Sequence, residues 1–454
     1  MPLTLVTGPA NAAKAGEVLG GLRARLDESP ILVVPAFQDV EHAQRELAER
    51  GAVFGARVLR FDWLYRTIAD RADYGEPVAS EVQRELLLEA TVAGARLSVL
   101  AASAERPGFV RAAARLVAEL GGARVDPGRF TQALRAWAGE GPRRAYADEV
   151  AGVYAGYRRA LEAAGLVDAE LFAWRALDAL RVEPGRWDRT PVFVYGFDDF
   201  TPLELDALET LAVRCEAPVV VSLPFEAGRG AFRATAAVHA RLAGIATERR
   251  ELPAVDEHYA PASRAALHQV ERGLFGGDAR AKVEAGEAVA LHSAGGARAE
   301  VELAAARVLE LLRDGTAPGD VAVVFRDPTH YSSLVEQVFG AYGVPYSLDR
   351  SVPFAHTGLG RGLLSLIRCA AGDGTADDLL AYLRTPGLLT QPALADRLEA
   401  RVRKDGVHAA EGARAVWERE HWTITDLERL TAARDTRAFV GELQTILARL
   451  FAAP

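Results

Sequence analysis

The sequence predicts an α/β fold in which parallel sheets carry long helical insertions. Short apolar segments alternate with helical segments through residues 3–61 and again from residue 288 onward. Between these stretches, residues 78–180 show only helical periodicity, and the strand pattern resumes at Pro191. A strand, a helix and a further strand at this spacing form a right-handed crossover, which joins parallel strands. We therefore expect a parallel sheet interrupted by a helical block.

The size and composition indicate two or three globular domains. The chain has 454 residues, of which 50% are apolar and 25% charged, and its net charge is -9. That charge argues against a protein that simply coats nucleic acid, although a local groove decides affinity. No segment approaches ~18 uncharged apolar residues and no basic leader is present, so we expect a cytoplasmic protein without membrane association. Two cysteines, Cys215 and Cys369, cannot by themselves make a four-cysteine iron–sulfur or zinc site, and we predict no metal site.

The first predicted strand, residues 3–7, leads directly into a glycine-containing loop. Gly8 and Lys14 keep the spacing of Gly-x-x-x-x-Gly-Lys-Ser/Thr, in which backbone amides and lysine hold phosphates and the hydroxyl binds Mg²⁺. Ala13 and Ala15 replace the second glycine and the hydroxyl residue. The loop is either a turn before an alanine-rich helix or a loop of nucleotide-binding ancestry. We favour the second interpretation, without Mg²⁺-dependent hydrolysis, because only three lysines occur and one falls on the motif position.

Aromatic and polar side chains follow the next two predicted strands. Phe37 and Gln38 follow the first of these strands, and Phe61 and Trp63 close the second. Ligands bind at the carboxyl ends of parallel strands. These rings are therefore either core residues or a platform on which unpaired bases stack. The two strands are predicted at residues 30–35 and 53–61, with a helix at residues 40–49 between them.

A fourth strand has the outline of an ATPase strand without its catalytic carboxylates. It begins at Val192 and ends in Gly196, Asp198 and Asp199. An ATPase places Asp-Glu where the apolar run ends, one residue for the Mg²⁺ shell and one to orient water. Here Tyr195 and Gly196 stand at those two places.

The remaining segments continue the alternating pattern and then become helical. Segment 224–286 has no clear pattern, and only helices are expected after residue 376. The predicted helices of the inserted block include residues 82–93, 107–120 and 146–164. Further strands are predicted at residues 217–223, 288–292, 321–325 and 344–347. Helices are predicted at residues 202–214, 331–342 and 359–371, and a further helix follows the strand at 288–292 and ends at residue 313. Basic residues occur near the end of the chain at Arg397, Arg401, Arg403 and Lys404.

Several of these motifs, in this order, resemble AddB, the B subunit of the bacterial ATP-dependent helicase/deoxyribonuclease, which is related to the RecB group of superfamily 1 helicases. The resemblance extends over most of residues 1–390. The motifs that carry it are the loop at Gly8 and residues 33–35, 60–64, 196–202, 299–302, 320–326 and 343–346.

The resemblance implies two RecA-like P-loop domains with helical insertions. Residues 1–77 and 181–286 would form the first RecA-like domain, with degenerate Walker motifs. Residues 78–180 would be an inserted helical domain, residues 287–375 the start of the second RecA-like domain, and residues 376–454 a further helical insertion. Family members end in a PD-(D/E)XK nuclease domain with an iron–sulfur cluster. Because no such domain is recognisable here, we expect either a truncated chain, which residues 451–454 favour, or a lost nuclease.

The resemblance also implies a non-motor subunit that scans single-stranded DNA, together with an AddA-type motor partner, in double-strand break repair and recombination. No catalytic residue and no iron–sulfur cluster are expected, and binding of ATP with Mg²⁺ stays open. Two alternatives remain, an active ATP-dependent helicase and a scaffold that binds only its motor partner. The implied phosphate-gripping remnants are Gly8, Lys14 and Arg326. The implied DNA-binding residues are Gln38, Phe61, Trp63, Arg66, Phe197, Phe200 and Thr201, although the family pattern differs at Trp63 and Arg66.

Overall fold

A computed structural model describes residues 3–49, 51, 53–106, 108–276, 282–348 and 352–452. Its contacts divide the chain into two units, residues 1–290 and 291–454. Within the described residues, no helix is both long and apolar enough to cross a membrane.

The first unit is built on one sheet of six parallel strands. The strands are β1 (Leu3–Gly8), β2 (Ile31–Val33), β3 (Arg57–Leu59), β4 (Val192–Val194), β5 (Val219–Pro224) and β6 (Glu248–Glu251). They lie in the order β3-β2-β4-β5-β1-β6, and every pair of neighbours is parallel. Every residue of β1, β2 and β4 is buried, since helices cover both faces of the central strands. That double burial explains why these strands read as continuous apolar runs.

A helical block lies between β3 and β4 in the chain, as the sequence predicts. Its helices are α4 (Glu81–Gly94), α5 (Ala101–Ala104), α6 (Gly108–Gly122), α7 (Pro127–Ala138) and α8 (Arg143–Ala163). The core of the block is formed by α4, α6 and α8. The predicted helices at 82–93, 107–120 and 146–164 correspond to these three, except that residue 107 lies outside the described residues.

Helices on each face of the sheet enclose a separate core cluster. These helices are α1 (Lys14–Arg23), α2 (Phe37–Ala48), α3 (Phe61–Arg71), α9 (Ala169–Val182), α10 (Pro202–Glu209) and α11 (Ala236–Ile245). A further helix, α12 (Arg264–Gly273), follows β6 in the chain. One face packs against α3, α9 and α10, and the other against α1 and α2. Trp187 lies in the first cluster, where its indole donates to the Thr190 carbonyl (2.9 Å) and Arg71 covers its ring. The chain returns from the helical block to the sheet through α9, which packs along α3.

Two differences from the predicted elements concern the sheet of the first unit. The third strand is shorter than predicted, so that Phe61 and Trp63 lie in the first turn of α3 and not on a strand. The sixth strand, β6, is not predicted by the sequence. It reads Glu-Arg-Arg-Glu, which has no apolar alternation, because β6 is an edge strand with exposed charged side chains.

The second unit contains helices and, among the described residues, no strand. The strands predicted at 288–292, 321–325 and 344–347 are therefore wrong. A strand is stable only when a neighbour satisfies its backbone groups, and none of these apolar segments has such a neighbour among the described residues. Leu291 and Val324 are accordingly exposed. The helices are α13 (Ala297–Arg313), α14 (Pro328–Tyr342), α15 (Gly358–Ala371), α16 (Ala376–Leu383), α17 (Ala393–Lys404), α18 (Ala410–Glu420), α19 (Thr425–Thr431) and α20 (Thr436–Ala452).

This correction predicts a contrast between two valines of the second unit. Val324 is 89% exposed, so Val324→Ala should change the free energy of unfolding by less than about 0.5 kcal/mol. Val338 is 2% exposed in the α13–α14 contact, so Val338→Ala should lower it by about 1.5–3 kcal/mol. Urea denaturation followed by circular dichroism measures both values. Equal losses would contradict the unpaired state of segment 321–325.

Candidate nucleic-acid interface

The segments that follow three neighbouring strands leave the sheet at the same edge. Helix α2 begins four residues after β2 ends, α3 begins two residues after β3, and the segment 195–201 follows β4. Because β3, β2 and β4 are adjacent and parallel, these three exits lie within about 10 Å, two strand spacings. This edge is where parallel sheets bind ligands.

The exposed side chains at this edge combine aromatic, amide and cationic groups. Trp63 is 55% exposed, and the guanidinium carbon of Arg66 lies 5.5 Å from the centroid of its ring. Gln38 is exposed in the first turn of α2. Its neighbour Phe37 is 61% exposed. The sequence places Phe37 at this strand end, although the residues that the family resemblance implies do not include it.

Phe61, Phe197 and Phe200 form a buried aromatic cluster beneath this edge. The Phe61 ring meets the Phe197 ring edge-on at 5.4 Å between centroids, and the Phe197 and Phe200 rings stack at 5.0 Å. Each of the three residues is less than 10% exposed. Their rings therefore hold α3 against the segment after β4 and present no face to solvent. The core interpretation of Phe61 is the one that the packing supports.

The segment after β4 depends on one glycine and one capping threonine. Gly196 has φ +92°, and a Cβ there would lie 3.1 Å from Cδ of Pro35, so the sharp exit favours glycine. Thr201 is the N-cap of α10: its hydroxyl accepts from the Glu204 amide (3.2 Å) and donates to the Glu204 carboxylate (3.0 Å). Thr201 is exposed, so its capped position still lies open to a ligand.

A cavity of about 320 Å³ lies beside this segment, between α3, α10 and the helical block. It brings together Phe61, Arg66 and Thr201 of the predicted set. The buried Tyr65 hydroxyl has no hydrogen-bond partner among the described residues, and burial raises the pKa of Tyr65 well above its usual value. Burial also raises the pKa of Glu204, and its hydrogen bonds from the Thr201 amide and hydroxyl oppose that shift. The cavity therefore offers hydrogen-bonding groups next to an arginine.

The paired aspartates after β4 do not form a metal centre with their neighbours. Asp199 accepts a hydrogen bond from the Phe200 amide (2.8 Å), and Asp198 is exposed. Over the part of the chain that the structure describes, no three His, Cys, Asp or Glu side chains converge closely enough to hold a metal ion.

The loop after β1 is closed by its own groups. The Lys14 ammonium is buried and donates to the carbonyls of Gly8 (3.2 Å) and Pro9. Ala13 takes a left-handed conformation, with φ 55°. Burial lowers the pKa of Lys14, and the carboxylate of Glu271 opposes that shift. The lysine that would reach a phosphate is therefore turned into the loop.

A second segment is fastened over this loop. The side-chain amide of Asn11 donates to the backbone carbonyl of Val255 (2.8 Å). The backbone amide of Val255 donates in turn to the backbone carbonyl of Asn11 (3.2 Å). The Leu252 amide is bonded to the Thr7 carbonyl (2.8 Å). The loop thus lies against segment 252–255. Arg326, the remaining predicted phosphate ligand, is exposed and belongs to the second unit.

Comparisons with known proteins give a consistent result. The family model described as ADDB, N-terminal, matches residues 5–270. The chain is 28% identical to the B subunit of the ATP-dependent helicase/deoxyribonuclease of Desulforudis audaxviator, over 91% of this chain and 37% of that protein. It is 27% identical to the proteins of the same name from Desulfitobacterium hafniense strain Y51 and Symbiobacterium thermophilum, over 90% and 95% of this chain. The chain spans 36% and 39% of the length of those two relatives.

The closed loop predicts a strict requirement for glycine at position 8. A Cβ at Gly8 would lie 2.7 Å from Cβ of Ala12 and 2.8 Å from the Leu252 carbonyl oxygen. Gly8→Ala should therefore lower the free energy of unfolding by about 1–3 kcal/mol. Gly16→Ala, in the helix that follows and with open space around it, should raise it by up to about 1 kcal/mol. Urea titrations of both variants check this, and a stable Gly8→Ala protein would mean that the loop opens.

Proposed function

The chain belongs to the family of AddB N-terminal regions, and from that membership we propose that it is a non-motor part of a helicase–nuclease complex that binds single-stranded DNA. The observation that carries the proposal is the exposed pair of Trp63 and Arg66 at the β3-β2-β4 edge. An aromatic face beside a guanidinium binds an unpaired base and its phosphate together.

The neighbouring groups complete a strand-binding surface. Phe37 adds a second exposed ring and Gln38 adds an amide at the next strand exit. Thr201 and the cavity beside it add hydrogen-bonding groups on the far side. Each stacked base contributes about 1–3 kcal/mol to binding, so two exposed rings support useful affinity in a protein whose net charge is -9. The buried phenylalanine cluster then acts by holding the surface in place.

We propose that this chain has no motor activity of its own, and the reason is chemical. Phosphoryl transfer depends on the position and charge of a lysine, a Mg²⁺ hydroxyl and two carboxylates. Lys14 bonds to its own loop, while Ala15, Tyr195 and Gly196 supply no oxygen ligand of the required kind. We therefore propose that the β1 loop is a degenerate Walker loop of a RecA-like domain. ATP hydrolysis then belongs to a partner of the AddA type.

The relatives' shared name assigns them to an ATP-dependent helicase/deoxyribonuclease as its B subunit. For this chain we propose the same setting, a cytoplasmic complex that processes double-strand breaks for homologous recombination. Its contribution there is to hold and scan the displaced strand.

The DNA-binding proposal predicts different effects for two exposed tryptophans. Trp63→Ala should weaken binding of a labelled oligothymidylate by roughly 5- to 150-fold, which corresponds to about 1–3 kcal/mol of lost stacking. Trp137→Ala should have no effect, although Trp137 is 56% exposed and also lies beside an arginine, Arg143. Fluorescence anisotropy at low salt measures both. No binding by the wild-type chain would favour a scaffold that only binds its partner.

The proposed lack of motor function predicts that the affinity for DNA does not depend on nucleotide. The affinity for the same oligothymidylate should stay constant within about twofold when Mg²⁺-ATP is added, because the closed β1 loop has no site for its phosphates. Lys14→Ala should likewise leave DNA affinity unchanged. DNA-stimulated phosphate release that Lys14→Ala abolishes would instead identify an active helicase.

A further inference from the structure

The second unit carries a basic groove on α17, outside the interface described above. A cavity of about 310 Å³ lies between α17 and α18. Arg397, Arg401 and Lys404 line it from α17. Their spacing of four and then three residues places all three side chains on one face of the helix.

The charges of this groove are only partly neutralised. Arg401 pairs with Asp405 (3.0 Å), and Glu420 lines the opposite wall. Within the described part of the chain, the ion pairs of this helix involve Arg401 and Arg403 but neither Arg397 nor Lys404. Arg403, on the same helix, pairs with Glu399 and does not line the cavity. Two cations therefore remain available in a protein that is acidic as a whole.

An exposed aromatic ring lies next to two residues that line the groove, Trp417 and His421. His421 lines the cavity, and the adjacent Trp422 is 55% exposed. The buried Trp417 indole donates to the Trp422 carbonyl (3.0 Å), and the two rings meet edge-on at 5.2 Å. The backbone and one edge of Trp422 are thus fixed, while part of its surface stays open to solvent. A fixed ring stacks on a base at a small entropic cost.

We propose that this groove is a second binding site for an unpaired nucleic-acid strand. Its phosphodiester backbone lies along Arg397 and Lys404, and a base stacks on Trp422. Free cations, a cavity between two packed helices and an exposed ring occur together here, and a strand uses all three. An acidic peptide would use only the charge. The proposal rests on residues of the second unit alone, so it holds or fails independently of the Trp63 surface.

The charge of the groove is tested with the full chain carrying Trp63→Ala, which removes the main stacking ring of the first unit, so that a further loss of affinity in the groove variants reports the second unit. In that background, adding Arg397→Ala and Lys404→Ala should weaken oligothymidylate binding by roughly tenfold or more at low salt. It should also reduce the slope of log affinity against log salt by about 1.4, because each of the two lost phosphate contacts on a single strand contributes ~0.7. The matched control is Arg403→Ala with Arg419→Ala, which changes the net charge equally at two exposed arginines outside the cavity. The control should keep its affinity within about twofold.

The aromatic part is tested by Trp422→Ala in the same background. The expected result is roughly fivefold or greater loss for oligothymidylate. Equal losses in the groove and control variants, no residual binding in the Trp63→Ala chain, or equally strong competition by polyglutamate would each overturn the proposal. If wild-type binding depends on Trp63 but not on the groove, only this inference fails. If it depends on the groove but not on Trp63, the proposed function of the first unit fails instead.

Discussion

The parallel pairing of β2 with β3 and β4 is the constraint on which the rest of the first unit depends. Parallel strands all end at the same edge, so three separate parts of the chain must leave the sheet side by side. The buried Phe61–Phe197–Phe200 cluster fills the space beneath two of these exits. It fixes the first turn of α3, and with it the direction of Trp63 and Arg66. The exposed surface is thus a consequence of a buried one.

The loop that follows β1 in the same sheet is closed, in contrast to the open exits of β2, β3 and β4. A phosphate-binding loop needs free backbone amides and a lysine that points outward. Here the loop carbonyls hold the lysine, and segment 252–255 lies against the loop. A cation buried in this way loses hydration that only hydrogen bonds replace, which is why its pKa is lowered. The fold therefore leaves open the edge that we propose binds a strand, while the loop that we propose is a degenerate Walker loop is closed.

Much of the first unit could be predicted because its physical causes lie in local sequence. Strands buried on both faces, such as β1 and β4, must be continuously apolar, and the inserted helices carry their own periodicity. The edge strand β6 could not be predicted, since a strand with polar exposed side chains has no apolar pattern. The apolar segment 321–325 has the pattern of a strand and lacks a neighbour to pair with. Pairing is a long-range property that local sequence does not contain.

The site shows the same division between local and tertiary information. Strand ends are readable, so the order of elements predicts that Gln38, Trp63 and Thr201 lie at one edge. The burial of a side chain cannot be predicted from local sequence in the same way. Phe61 and Trp63 are two residues apart, but Phe61 is in the core and Trp63 is exposed because they lie on different faces of α3.

Hydrogen exchange of the full chain with and without oligothymidylate and Mg²⁺-ATP tests the central claim most directly. The first-turn amides of a helix have no partner within the helix, so they exchange fast unless a ligand covers them. The account predicts that DNA slows exchange in residues 36–38, 61–66 and 196–201, and that Mg²⁺-ATP leaves residues 9–15 unchanged. Protection of residues 9–15 by Mg²⁺-ATP, with no effect of DNA at the three strand exits, would contradict it.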